Sequence, residues 1–203
     1  SEGYLSGAKA LCEKYNALFI ADEVQTGVAR TGKRLAVDHE NVKPDILVLG
    51  KALSGGVYPV SAVLADDRIM HVIKAGQHGS TFGGNPLAAA VAIEALQVVK
   101  DEHLAENAAR LGEIFRKEIG DYIKTSKIAS LVRGKGLLNA VVINDTEESD
   151  TAWNICLKMR DNGLLAKPTH GNIIRFAPPL VMNETELREC IAIIINALKA
   201  FEK

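Results

Sequence analysis

The sequence predicts an α/β protein in two parts, a layered α/β unit followed by a smaller α+β unit. Three observations carry this. Short apolar runs in the first 65 residues are continuous rather than alternating, the pattern of strands covered on both faces. Stretches with apolar residues three and four apart alternate with those runs and read as helices. After about residue 124 the pattern changes to short strands mixed with two helices, as in an α+β arrangement. We place the boundary there, giving parts 1–124 and 125–203. A chain of 203 residues is long enough to bury a core in each.

Residues 5–16 form the first predicted helix, with Leu5, Ala8, Cys12 and Tyr15 on one stripe. Leu18 to Ala21 is a strand ending at Asp22-Glu23. Ile46 to Leu49 is a second, ending at Gly50-Lys51, and Val60 to Ala65 a third. Asn85-Pro86 opens a long helix, because proline at a first helical position loses no hydrogen bond. Its stretch 87–99 is apolar nearly all round, which predicts deep burial. The next helix covers 103–123 on the stripe Leu104, Ala108, Leu111, Phe115, Ile119 and Tyr122. In the second part we expect strands at 129–133, 137–143, 164–166 and 172–176, and a helix at 150–161. A last helix starts at Asn183, which can cap it, with Glu186 placed for a capping box.

Composition narrows the function. Lys and Arg number 24 against 25 Asp and Glu, a net charge of −1, with no long block of one sign. Binding to nucleic acid or a membrane surface through bulk charge is therefore not expected. No apolar run approaches a membrane span, and no signal or transit peptide is visible. Cys12, Cys156 and Cys190 are far apart and odd in number, which predicts buried thiols in a reducing compartment, with Cys190 in a core. The five histidines show no metal-ligand spacing, so no metal site is predicted. Trp153 is expected in the core.

Four segments can carry chemistry. Asp22 and Glu23 end a buried strand on the side where α/β sheets place ligands, although an ordinary loop start looks the same. A nucleotide-hydrolysing reading would need a G-x-x-x-x-G-K-[ST] loop, and Gly50-Lys51 lacks both the earlier glycine and the following hydroxyl. Lys51, at a strand end beside a cleft, is expected to be partly desolvated, which frees its amine to attack a carbonyl. The alternative is a surface lysine in a turn. Residues 76–86, G-Q-H-G-S-T-F-G-G-N-P, offer hydroxyls and free backbone N–H groups before a helix, suited to an anion or simply to a flexible loop and cap. Arg175 in I-I-R-F-A-P-P-L reads as a buried arginine that needs a carboxylate, from substrate or from protein.

Together these segments resemble the class III aminotransferases along essentially the whole chain. The resemblance rests on D-E-V-Q-T-G, G-K-A-L-S-G-G and G-S-T-F-G-G-N-P in this order and spacing. Three further segments, G-G-V-Y-P-V-S-A-V-L, V-R-G-K-G-L-L-N-A and D-N-G-L-L-A-K-P-T-H-G-N-I-I-R-F-A-P-P-L, resemble the ornithine-specific subfamily of eukaryotes. Relatives acting on acetylornithine or 4-aminobutyrate look less like these three.

The resemblance implies a fold type I, pyridoxal-phosphate-dependent transferase. Residues 1–124 would be the C-terminal part of its large cofactor-binding domain and 125–203 its small C-terminal domain. It implies that Lys51 holds pyridoxal phosphate covalently and moves a proton between substrate carbon and cofactor. Asp22 would pair with the pyridinium nitrogen, so that the ring can accept electrons. Val24 would pack on the ring and Gln25 would hydrogen-bond its hydroxyl oxygen. Ser80 and Thr81 would reach the phosphate in a neighbouring subunit, which makes a homodimer or higher oligomer part of the site. Arg175 would handle substrate carboxylates. The implied reaction takes the δ-amino group of ornithine to 2-oxoglutarate, giving glutamate semialdehyde and glutamate. The implied compartment is the mitochondrial matrix, or the cytosol in some lineages. Family members are considerably longer than this chain. It begins at Ser1 without an initiator Met, so we expect a C-terminal half that lacks its N-terminal half and is inactive alone.

Overall fold

The computed structural model describes residues 2–202 and has a mixed α/β architecture. The chain divides into two compact units. The first runs to Ala29 and resumes over Lys33–His103; the second takes Arg30–Gly32 and the chain from Leu104 onward. The division therefore falls at His103/Leu104 rather than near 124. The reason is the helix Leu104–Ile123, whose stripe Leu104, Ala108, Leu111, Phe115 and Ile119 is buried in the core of the second unit.

The first unit carries α1 (Tyr4–Lys14), β1 (Ile20–Asp22), β2 (Ile46–Leu49), β3 (Ala62–Ala65), the single turn α2 (Asp67–Met70) and α3 (Pro86–Asp101). The sheet order is β1-β2-β3. β1 and β2 run parallel with Ile20 opposite Ile46 and Asp22 opposite Val48, and β3 returns antiparallel with Leu49 opposite Ala62. Asp45, just before β2, gathers the neighbouring elements. Its carboxylate accepts from Lys9 Nζ at 2.8 Å, from Arg68 Nη2 at 2.8 Å and from the Phe19 N–H at 2.9 Å.

Burial in this unit differs from expectation. No residue of α1 is buried, and of α3 only Ala88 is. Ile93 on α3 is 68% exposed, and Val63 on β3 is 56% exposed. An all-round apolar helix becomes buried only where other elements cover it, and within this unit three short strands and few helices cannot.

The second unit holds α4 (Leu104–Ile123), β4 (Ala129–Lys135), β5 (Leu138–Ile143), α5 (Thr151–Asp161), β6 (Lys167–Thr169), β7 (Ile173–Phe176) and α6 (Glu184–Lys199). Its antiparallel sheet has the order β4-β5-β7-β6. Val141, Ile143, Ile174 and Phe176 point to one face and are buried together with Leu111, Ile119, Ile155, Met159, Leu187 and Leu198 from the three helices. Phe115 and Phe176 meet at 5.4 Å between ring centres, tilted by 48°. Fully burying each large side chain stabilises the fold by roughly 1.5–3 kcal/mol, so this core is the main store of stability in the unit. Asn183 caps α6 in a reciprocal box with Glu186, with bonds of 2.9 and 3.0 Å.

Three expectations shift here. The strand placed at 164–166 lies at Lys167–Thr169. Trp153 is 53% exposed, because α5 turns Ala152, Ile155, Cys156 and Met159 inward instead. Among the cysteines, all free, only Cys156 is buried, and burial pushes its thiol up to about 11. Cys12 and Cys190 are half-buried.

Candidate active site

Two charged residues rise from one edge of the parallel pair in the first unit. Asp22 is the last residue of β1, aligned with Val48 on β2. Lys51 lies three residues beyond Val48, where β2 gives way to a tight turn over Lys51–Ser54. Parallel strands bring both C-terminal ends to the same side, where open α/β sheets bind ligands. The Asp22 carboxylate is exposed and accepts from the Val24 N–H at 3.1 Å, which holds it at the turn. Val24 in turn lies against Gly50. A Cβ built there would meet its two γ-methyls at 3.4 and 3.6 Å, so Val24 reaches the residue before Lys51.

Lys51 itself departs from expectation in one respect. Its side chain is exposed rather than desolvated, since nothing in this unit covers the strand end, and it makes no hydrogen bond or ion pair with a described residue. Its backbone is the more informative feature. Lys51 sits at φ 46°, in the left-handed region that L-residues enter at a cost of about 1–2 kcal/mol. Strained conformations of this kind cluster at functional sites.

Glu23, next to Asp22, has a different fate. It is 3% exposed, and its carboxylate accepts from Thr26 Oγ1 at 2.5 Å and from the Val37 N–H at 2.9 Å. The Asp-Glu pair is thus divided between one exposed carboxylate and one buried carboxylate that fixes the following loop. Gln25 is exposed beyond Val24.

Ser80 and Thr81 are exposed in the loop before α3. Ser80 Oγ accepts from the Gly83 N–H at 3.0 Å, and Asn85 caps the helix by accepting from the Ala88 N–H at 2.8 Å. This gives hydroxyls and a helix N-terminus on one short segment, the elements of an anion site.

In the second unit, Arg175 lies on β7 between buried Ile174 and buried Phe176. It points to the opposite face and is exposed, not buried, and it has no partner among the described residues. The segment that follows it is firmly held. Arg30 donates to the Pro178 carbonyl at 2.5 Å and to the Leu137 carbonyl at 3.2 Å, and burial lowers its pKa. A cavity of about 260 Å³ opens beside that segment, lined by Phe115, Leu137, Leu164, Pro178, Met182 and Leu187 among others.

Sequence alone does not single out Lys167, which stands opposite Arg175 on β6, or Arg133, on the same face of β4. The available signal was the turn at His170-Gly171. Counting outward from it pairs Thr169 with Ile173 and Lys167 with Arg175.

Residues 1–198 match the family model for class-III aminotransferases. The chain belongs to this family. Among class-III relatives it is 62% identical over 199 residues to the mitochondrial ornithine aminotransferase of Rattus norvegicus, covering 98% of this chain and 45% of that protein. It is 62% identical to the mitochondrial enzyme of Drosophila melanogaster, over 96% of this chain and 44% of the relative. The chain thus spans about half the length of the curated relatives it matches. Among solved structures, an acetylornithine aminotransferase from Elizabethkingia anophelis superimposes with a TM-score of 0.95 at 64% identity, covering 99% of this chain and 52% of that one. The ornithine aminotransferase of Toxoplasma gondii, crystallised with partial occupancy of PLP, gives 0.93 at 50% identity, over 98% of this chain and 46% of that one.

Proposed function

We propose that this chain is the C-terminal half of a pyridoxal-phosphate-dependent ornithine aminotransferase. In this reading the first unit belongs to the large cofactor-binding domain and the second to the small domain. The observation that carries it is the placement of a strained lysine and an exposed carboxylate on neighbouring parallel strand ends, Lys51 after β2 and Asp22 on β1.

The side chains present fit the cofactor by their chemistry. An amine suits an aldehyde, a carboxylate suits a protonated ring nitrogen, an amide suits a ring hydroxyl, and hydroxyls before a helix suit a phosphate. When bound, pyridoxal phosphate supplies an electron sink that makes the substrate's C–H proton acidic. Lys51 Nζ would hold the cofactor, and its amine is the base that would take that proton and return it to the product. Asp22 would keep a proton on the ring nitrogen through the carboxylate oxygen that the Val24 N–H does not engage. Val24, resting on Gly50, would limit the space beside the ring, and Gln25 would donate to its hydroxyl oxygen. Ser80 and Thr81 bind phosphate, in the site of a second copy of the protein, so the active form is a homodimer or larger. Arg175 binds a carboxylate of the substrate. Ornithine gives its δ-amino group, 2-oxoglutarate accepts it, and the mitochondrial matrix is the compartment, in line with the names of several relatives.

An absorbance spectrum of the intact protein with pyridoxal phosphate tests this reading. A band of lysine-bound cofactor that responds to ornithine and is lost in Lys51→Ala is the expected result. No band in the folded intact protein overturns it. A second reading, acetylornithine as amino donor, is favoured by the likeness to the Elizabethkingia anophelis enzyme. Comparing kcat/KM for ornithine and N-acetylornithine decides between them.

A further inference from the structure

Lys167 and Arg175 are register partners on the antiparallel strands β6 and β7. Directly opposite residues on one face hold their Cβ atoms about 4.5–5.5 Å apart, and like charges in that position destabilise a sheet. Both side chains are exposed, and neither makes a hydrogen bond or ion pair with a described residue. Arg133 continues the row. It stands opposite Ala140 on β5, which stands opposite Arg175, so three cations share one line across four strands. The fourth position holds only a methyl group. Arg133 is exposed and likewise without a partner among the described residues.

Other exposed arginines of this unit do find carboxylates. Arg110 pairs with Glu184, and Arg188 pairs with both Glu118 and Glu184. The row on the sheet has no such neutralisation within it. Its repulsion is relieved when an anion sits between the cations, and the closest pair, Lys167 and Arg175, offers complementary groups. Arginine presents a planar fork that matches a carboxylate, and lysine adds a compact charge on a flexible stem.

We propose that Lys167 joins Arg175 in gripping one carboxylate of the acidic substrate, a linear dicarboxylate. The inference rests on the substrate role proposed for Arg175 and adds a second residue to it. Arg133, two strands from Arg175, raises the local positive potential without sharing the contact.

The test is calorimetric titration of glutarate into the intact protein. Glutarate has the five-carbon dicarboxylate skeleton and no carbonyl to react. Lys167→Met is expected to bind it about tenfold more weakly, the loss of one charge-assisted hydrogen bond. Lys167→Arg keeps a cation in place and is expected to stay within about threefold of the unaltered protein. Without ligand, Lys167→Met is expected to melt at a higher temperature, because the opposed charges are gone, and to show a smaller upward shift when glutarate is added. Unchanged glutarate affinity in Lys167→Met overturns the inference, and so does the absence of glutarate binding to the unaltered protein. Neither readout uses catalysis, so a failed absorbance test of Lys51 leaves this one readable.

Discussion

Gly112 on α4 lies against the carbonyl of Gly136, so close that a Cβ at position 112 would overlap the peptide. The same carbonyl accepts from Arg116, one turn further along α4, at 3.1 Å, and Arg116 also donates to Asn139 Oδ1 at 2.9 Å. The helix and the β4–β5 turn therefore meet at backbone distance, and both groups of Asn139 are engaged there. Gly112→Ala should force the turn away from α4 and cost about 1–3 kcal/mol, the usual range for overpacking a tight core. Urea denaturation of the intact protein measures this. A cost below about 0.5 kcal/mol would place the change among ordinary surface substitutions and show that the turn yields freely.

Asp45 sets a pH dependence for the first unit. The hydrogen bond from Lys9, followed by those from the Phe19 N–H and the charge of Arg68, holds its carboxyl down at about 2. A depressed folded-state pKa favours the folded form as long as the carboxylate is ionised. Its contribution is fully present above about pH 4, the unfolded value, and is lost as pH falls through about 2. Thermal melts between pH 5 and 2 should show this decline in the unaltered protein. Asp45→Asn should lower stability at pH 5 and flatten the decline, since no proton is then taken up at that position. Parallel curves for the two proteins would show that Asp45 is not the group responsible.

Signals that depend on neighbours in the chain could be read in the sequence, while burial by distant elements could not. The α6 start is an example of the first kind, because a capping box needs only Asn183 and Glu186 three residues apart. The strand ends at Asp22 and Lys51 are another. Arg175 shows the opposite. Flanked by Ile174 and Phe176 it reads as buried, but an antiparallel sheet with one covered face sends every second residue outward. Helix α3 misleads for a related reason, since its apolar surface says what could be covered and not what covers it. Lys167 is illegible without the register that puts it opposite Arg175.

The cap itself gives a local test of that distinction. Asn183 accepts from the Glu186 N–H while the Glu186 carboxylate accepts from the Asn183 N–H. Asn183→Ala removes the first bond and should cost about 1 kcal/mol, with little change in the buried residues of α6. Denaturation of the intact protein with and without the substitution measures it. No loss would mean that water or another group satisfies the first turn equally well.

Lys51 combines a functional side chain with an unfavourable backbone, and the two can be separated. At φ 46° any L-residue carries the left-handed cost, whereas glycine enters that region freely. Lys51→Ala and Lys51→Gly should both lose the lysine-bound cofactor band, because neither has an amine. They should differ in stability. The glycine variant is expected to be more stable than the alanine variant by about 1 kcal/mol, because it lacks the Cβ that makes the left-handed conformation costly. Comparing their denaturation midpoints in the absence of cofactor isolates this difference from any effect of binding. Equal stability would mean that the chain relaxes at position 51 once the lysine is gone. The left-handed turn would then be set by the lysine side chain itself rather than by the path from β2 into the following turn.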